Sequence, residues 1–227
     1  EWDISAMEPS PERIPNTNDI RIFLTSLDEA SFDRPFGLIY ANHVLEHVPN
    51  PNGFLKKLAG ILAPDGIVLL SCPDALIPSH ELLFSDHLYH FTPAAIAAVA
   101  EGTGIWLQES KPTPWEPLSQ LFILKKNRAL EPANQKDLTP ERLSYFSRWV
   151  NAEVRLLSQL GDAPVLFGAG EFSQLIQTYL PKVWALIDCV IVDDLRGVRE
   201  FGKPVWHAKD LDLRGRVVLL GVHPYSA

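Results

Sequence analysis

Sulfur is scarce in this sequence: two cysteines, Cys72 and Cys189, and one methionine, Met7, among 227 residues. Two thiols in separate apolar runs cannot make a disulfide framework. They read as buried free thiols of a reducing compartment, which points to the cytoplasm. Long apolar runs are also missing. None approaches the roughly 20 residues that cross a bilayer, and the first residues lack the basic flank and apolar stretch of a secretory signal, so no membrane partner is expected. Positive charge is short as well, with 20 Lys and Arg against 28 Asp and Glu and a net charge of -8. Lys56-Lys57 and Lys125-Lys126 are the only basic pairs, too few to grip a phosphate backbone, so nucleic acid is not the expected partner. There is no short repeat and no low-complexity tract. The remainder, 46% hydrophobic and 21% charged, is the composition of a globular protein with one large core or two small ones. Nothing in it sets the oligomeric state.

The apolar runs and the breakers between them suggest two α/β units. Trp2 to Met7 reads as a strand ending in the acid Glu8, and Ile20 to Leu24 reads as a second strand. Phe36 to Ala41 is a strand expected to be apolar on both faces. Asn50 and Pro51 then supply an N-cap and a first helical residue for a helix bearing Phe54, Leu55, Leu58, Ile61 and Leu62. Pro64-Asp65-Gly66 stops that helix before the strand Ile67 to Cys72, which completes a βαβ unit of a parallel sheet. Thr92-Pro93 opens another helix, closed by Gly102 and Gly104. Trp106 to Glu109 and Leu118 to Leu124 form a hairpin. Residues 127–160 read as a linker followed by a long helix, with Leu143, Phe146, Val150, Val154, Leu157 and Leu160 as its apolar face. Residues 161–227 form a second unit: strand Pro164 to Phe167, turn Gly168-Ala169-Gly170, helix Glu171 to Tyr179, strand Ile187 to Val192 and strand Val217 to Val222.

Residues 1–126 resemble a class I S-adenosylmethionine-dependent methyltransferase, and the run from Asn42 through His43-Val44-Leu45-Glu46-His47-Val48 to Pro51 carries most of that resemblance. It implies an incomplete Rossmann-like methyltransferase sheet, truncated before the first strand and its glycine loop, with S-adenosylmethionine as cofactor. On the same basis Glu8 stands where a carboxylate takes the ribose hydroxyls. Leu27 and Asp28 stand beside the adenine, and Asn42 and His43 pass beneath the methionine part. Ser85-Asp86-His87-Leu88-Tyr89-His90-Phe91 resembles a stretch of the sugar C-methyltransferases, which makes His87 the expected general base and Asp86 its acid neighbour. The expected reaction is methyl transfer to a small molecule, with a sugar carbon as one acceptor. Because the glycine loop is absent, the truncated chain is expected to bind the cofactor weakly and to be inactive by itself.

Two other patterns compete for attention. His43, Glu46 and His47 spell H-x-x-E-H, which holds zinc only on a continuous helix with a third ligand downstream. Pro49 and Pro51 limit any helix here to about one turn, so no metal is expected. Gly168-Ala169-Gly170 with Asp193 at the end of the next strand has the layout of a dinucleotide fingerprint without its third glycine. This unit resembles the small Rossmann-like domain at the C-terminus of sugar C-methyltransferases. It leaves two alternatives to methyl transfer: a non-catalytic module binding a nucleotide or nucleotide sugar, or an NAD-dependent oxidoreductase.

Overall fold

The computed structural model describes residues 3–8, 21–27, 29–127, 137–196, 198 and 201–222. The chain divides into two compact units, Glu1–Ile77 with Ser85–Gln135, and Pro78–Phe84 with Lys136–Ala227. Both are α/β and Rossmann-like in organisation.

In the first unit, β1 (Ser5–Met7) and β2 (Arg21–Phe23) pair in parallel as a small sheet. A second sheet holds β3 (Phe36–Asn42), β4 (Leu62–Pro73), β5 (Trp106–Thr113) and β6 (Glu116–Lys125) in the order β3-β4-β6-β5. The pair β3 and β4 is parallel, whereas β6 runs antiparallel to both its neighbours. Helix α1 (Pro51–Ile61) connects β3 to β4 in the expected crossover. Its start follows from local chemistry. The Asn50 side chain accepts from the Gly53 N–H at 2.9 Å, while proline at the first helical position needs no donor. Pairing then jumps from Phe36↔Leu62 to Leu38↔Ile67, so the Pro64-Asp65-Gly66 turn bulges out of β4. Helix α2 (Pro93–Ala100) is capped by Thr92, whose hydroxyl accepts from the Ala95 N–H. Gly102 and Gly104, both at positive φ, end it as their lack of a Cβ permits. Leu55, Leu58, Val68, Leu70, Ile96, Phe122 and Leu124 fill the core between these helices and β4 and β6.

Strand β3 departs from expectation. Leu38 and Tyr40 are nearly half exposed, not buried, because among the described residues β3 is an edge strand bonded only to β4. Strand β4, in the interior of the same sheet, is buried as expected, and Cys72 on it is a free buried thiol, as is Cys189 of the second unit. Leu27, just after β2, packs against the main core. Phe32 meets Phe23 of β2 and Phe36 of β3 edge to face, at 5.4 Å and 5.0 Å between ring centres.

The second unit is a four-stranded parallel sheet, β7 (Val165–Phe167), β8 (Cys189–Val192), β9 (Val205–His207) and β10 (Val218–Leu220), in the order β10-β7-β8-β9. Helices α4 (Glu171–Tyr179) and α5 (Pro181–Leu186) follow β7, and α3 (Thr139–Leu157) precedes it. Helix α3 is turned relative to the expected face. Trp149, Leu156 and Leu157 pack on the core, while Leu143, Phe146, Val150 and Val154 are exposed. Tyr145 and Trp149, four residues apart, lie on the half-buried side. Short β9 and α5 have too few residues for a periodic pattern to reveal them.

Gly168 illustrates how tightly this sheet is closed. It sits at φ +101°, and a Cβ there would lie 2.9 Å from the Gly221 carbonyl oxygen and 2.6 Å from Val222 Cγ1. Gly170 has no positive φ and open space around its Cβ position. Gly168→Ala is therefore expected to destabilise the second unit by roughly 1–3 kcal/mol, whereas Gly170→Ala leaves it near wild type. Denaturant titration of both variants distinguishes this packing role from a ligand-binding one. Equal midpoints for the two variants would contradict it.

Candidate active site

The chain turns abruptly at the carboxyl end of β3. His43 takes a left-handed conformation, φ 49°, while its N–H donates to the Ser71 carbonyl at 2.9 Å. Few non-glycine residues occupy that region, and one that does needs fixed surroundings to hold it. Here the surroundings are acidic. Nδ1 lies 3.1 Å from Glu46 Oε1, and Nε2 lies 2.7 Å from Glu116 Oε2 and 3.1 Å from the Ser119 hydroxyl. The bond to Glu46, with Glu116 adding to it and burial opposing it, pushes the His43 pKa up to about 9. His43 is therefore an imidazolium at neutral pH, fixed between two carboxylates.

Glu46 lies on a single 3₁₀ turn, Leu45–His47, whose Leu45 is anchored in the core. It is 1% exposed. Its Oε1 faces His43, whereas Oε2 meets no nitrogen or oxygen donor among the described residues. Burial, reinforced by this carboxylate, pushes the Cys72 thiol well above its ordinary pKa. The thiol is therefore protonated.

A second segment, Ser85 to Phe91, is bonded to this turn. The N–H groups of Leu88 and Tyr89 both donate to the Glu46 carbonyl, at 2.8 Å and 3.3 Å, and the Tyr89 hydroxyl donates to the Pro49 carbonyl at 3.1 Å. His47 Nδ1 lies 3.0 Å from the Asp86 carbonyl oxygen, so that nitrogen carries a proton and donates it there. The rings of His47 and His87 meet edge to face at 4.8 Å, and the His90 ring is 6.2 Å from that of His87. Glu46, His47 and His87 each offer one ligand atom, all within 4.8 Å of one another.

The expected site residues thus fall into distinct places. Glu8 directly follows β1, and its N–H donates to the Phe23 carbonyl at 3.2 Å. Asn42 ends β3 and accepts from the Tyr40 hydroxyl at 2.7 Å. Asp28 lies outside the described residues. Asp86 and His87 are on the loop that meets the Leu45–His47 turn. The Asp86 carboxylate is 3.7 Å from His47 Nδ1, so the acid-histidine pair that the geometry builds is Asp86 with His47. Tyr89 and Phe91 stack at 5.8 Å, although Phe91 belongs to the core and Tyr89 to the surface. Glu116 and Ser119 were not legible as site residues, because 73 and 76 residues separate them from His43 and only the β5-β6 hairpin brings them there. Of the H-x-x-E-H pattern, His43 is held by the two glutamates, and the downstream histidine beside Glu46 and His47 is His87.

In the second unit, Asp193 is exposed just beyond β8, and the first glycine of its turn, Gly168, is closely packed while Gly170 is open. The Ser173 hydroxyl donates within that turn, 2.7 Å from the Gly168 carbonyl oxygen. A depression lined by Phe201, Gly202, Lys203 and Pro204 offers one charged group, Lys203, whose ammonium is bonded to the Ile187 carbonyl at 2.7 Å.

Comparison with known proteins gives the family of the first unit. Residues 1–115 match the family model described as a methyltransferase domain, which spans half of the chain; the chain belongs to that family, and its first unit is of the S-adenosylmethionine-dependent class. It is 29% identical over 106 residues to a ubiquinone biosynthesis O-methyltransferase of Aeromonas salmonicida, an alignment covering 40% of this chain and 44% of the relative. It is 35% identical over 80 residues to a trans-aconitate 2-methyltransferase of Methylobacterium radiotolerans, covering 34% of this chain and 29% of the relative. The chain thus spans less than half the length of these curated relatives. Among solved structures, an S-adenosylmethionine-dependent methyltransferase of Clostridium acetobutylicum superposes with a TM-score of 0.46 at 9% identity, covering 55% of this chain and 75% of that one.

Proposed function

We infer that the first unit serves methyl transfer from S-adenosylmethionine to a small-molecule acceptor, with a sugar carbon as the finer reading. The observation that carries this is the family match over residues 1–115 together with the strained Asn42-His43 corner at the carboxyl end of β3. Ligands of open parallel sheets bind beyond such strand ends. The names of the two curated relatives support a small-molecule acceptor.

The residues suit the donor chemically. The Glu8 carboxylate can accept from both hydroxyls of a ribose, Leu27 offers apolar contact, and Asp28 supplies an acid next to it. Asn42, its Oδ1 already taken by Tyr40, keeps two amide N–H donors. The positive charge of His43 is balanced by Glu46 and Glu116, so His43 positions the loop and neither gains nor loses a proton near neutral pH. When bound, S-adenosylmethionine supplies the methyl group and leaves as S-adenosylhomocysteine. His87 takes the proton released by the acceptor, and an imidazole suits that task because its ordinary pKa lies near working pH.

Among the described residues β3 is paired on one edge only and leaves Leu38 and Tyr40 exposed on an apolar strand, which suits a further strand beside it. This chain alone is therefore expected to bind S-adenosylhomocysteine more weakly than the micromolar range, and the protein extended upstream through such a strand to bind it tightly. Calorimetry on both forms tests this. Micromolar binding to this chain alone would contradict the missing-strand reading, and no binding to either form would remove the methyl-transfer reading.

A further inference from the structure

We propose that Glu46, His47 and His87 form a binding site for a first-row divalent cation, zinc in the first instance. Their ligand atoms gather within 4.8 Å of one another. The donor set of two imidazoles and one carboxylate is one that zinc accepts, with a fourth position left open. In a tetrahedral site with bonds of about 2.1 Å the ligand atoms stand about 3.4 Å apart, so small side-chain shifts of the two half-buried imidazoles close the remaining gap.

Three observations give this cluster the character of a built site. First, Glu46 is 1% exposed and its Oε2 has no nitrogen or oxygen donor among the described residues, while His43 answers only Oε1. A carboxylate removed from water is costly, and a cation beside it adds to what the His43 imidazolium and the Cys72 thiol already offset. Second, His47 already has the outer partner of a metal-ligating histidine. Its Nδ1–H is held by the Asp86 carbonyl at 3.0 Å, with the Asp86 carboxylate at 3.7 Å, which leaves Nε2 as the ring atom available to an ion. Third, the two chain segments that bear the ligands are fastened together through the Glu46 carbonyl before any ion arrives.

The site therefore differs from the zinc reading of H-x-x-E-H, in which His43 would be the first ligand. That histidine is bonded to Glu46 and Glu116, and His87 from the downstream loop takes its place. Binding of the ion stands apart from the methyl-transfer reading. Where that reading also holds, the open position suits an acceptor oxygen. The ion would then lower the acceptor's pKa so that its proton passes to solvent water, and His87 acts as base only in the metal-free protein.

The test is zinc titration of the full chain after chelator treatment, followed by calorimetry. One equivalent is expected to bind, with His47→Gln and His87→Gln each weakening affinity at least about tenfold and His207→Gln, in the second unit, leaving it unchanged. Cobalt loading gives a second readout: a visible absorption band and paramagnetically shifted imidazole signals in the parent, both lost in His87→Gln. Absence of saturable binding, or binding retained by both variants, would overturn the proposal. Lost zinc binding with intact S-adenosylhomocysteine binding in the extended protein sinks the ion site alone. Zinc binding without any S-adenosylhomocysteine binding supports the ion site and removes the methyl-transfer reading.

Discussion

His87→Ala is expected to lower methyl-transfer turnover of the upstream-extended protein by about 10²- to 10⁴-fold while S-adenosylhomocysteine affinity changes little. The split follows from position. His87 lies on the Ser85–Phe91 segment, bonded through backbone to the turn after β3, whereas the cofactor candidates are at the ends of β1, β2 and β3. Removing it takes away either a base or a metal ligand and leaves the strand ends intact. A purely structural His87 would instead change affinity and turnover together with stability. Chelation separates the two active roles: turnover that survives a chelator belongs to His87 as base, and turnover that falls with it belongs to the ion. Turnover of His87→Ala within a few-fold of the parent would exclude both.

His43→Ala in chelator-treated protein is expected to cost about 3–5 kcal/mol of stability at neutral pH, among the larger effects available to a single substitution here. The substitution leaves Glu46, 1% exposed, without its cation, and also releases the left-handed corner at the end of β3. Alanine avoids no strain there, because it too has a Cβ at positive φ. The same pair makes a pH prediction with a definite sign. The His43 pKa in the fold, about 9, lies above its ordinary value of 6.5. Its stabilisation is thus fully present below about pH 6.5 and is lost as pH rises through about 9, with an upper bound of about 3 kcal/mol. Thermal denaturation of the parent should show a falling midpoint from pH 7 to pH 10, and His43→Ala should flatten that fall. Equal slopes for the two would place the imidazolium elsewhere.

Much of the first unit could be read from its residues because local chemistry and packing agree there. Asn50-Pro51 and Thr92-Pro93 state their helix starts in four residues, and the buried run of β4 needs no long-range information. The failures share a cause: exposure depends on what covers a strand or helix, which a periodic pattern does not contain. Strand β3 is apolar yet half uncovered because it is an edge, and helix α3 packs Trp149, Leu156 and Leu157 on the core and leaves Leu143, Phe146, Val150 and Val154 exposed. The site divides in the same way. Order along the chain puts Glu8, Leu27 and Asn42 at or just after strand ends, whereas the spacing of Glu46 and His47 in H-x-x-E-H led to the expectation of no metal. The pairing of His43 with Glu116, and of His87 with His47, depends on a hairpin and a loop folding back across distances no spacing rule spans.

The central claim, that the ends of β1, β2 and β3 hold the methyl donor, is tested most directly by mapping S-adenosylhomocysteine binding onto backbone amide resonances. That method detects even the weak binding expected of this chain. Saturating shifts are expected at Glu8, Leu27, Asn42 and His43, with Gly168 to Gly170 unmoved. Shifts confined to the Gly168-Ala169-Gly170 turn, or absent at all of these positions in both this chain and its upstream-extended form, would contradict the account.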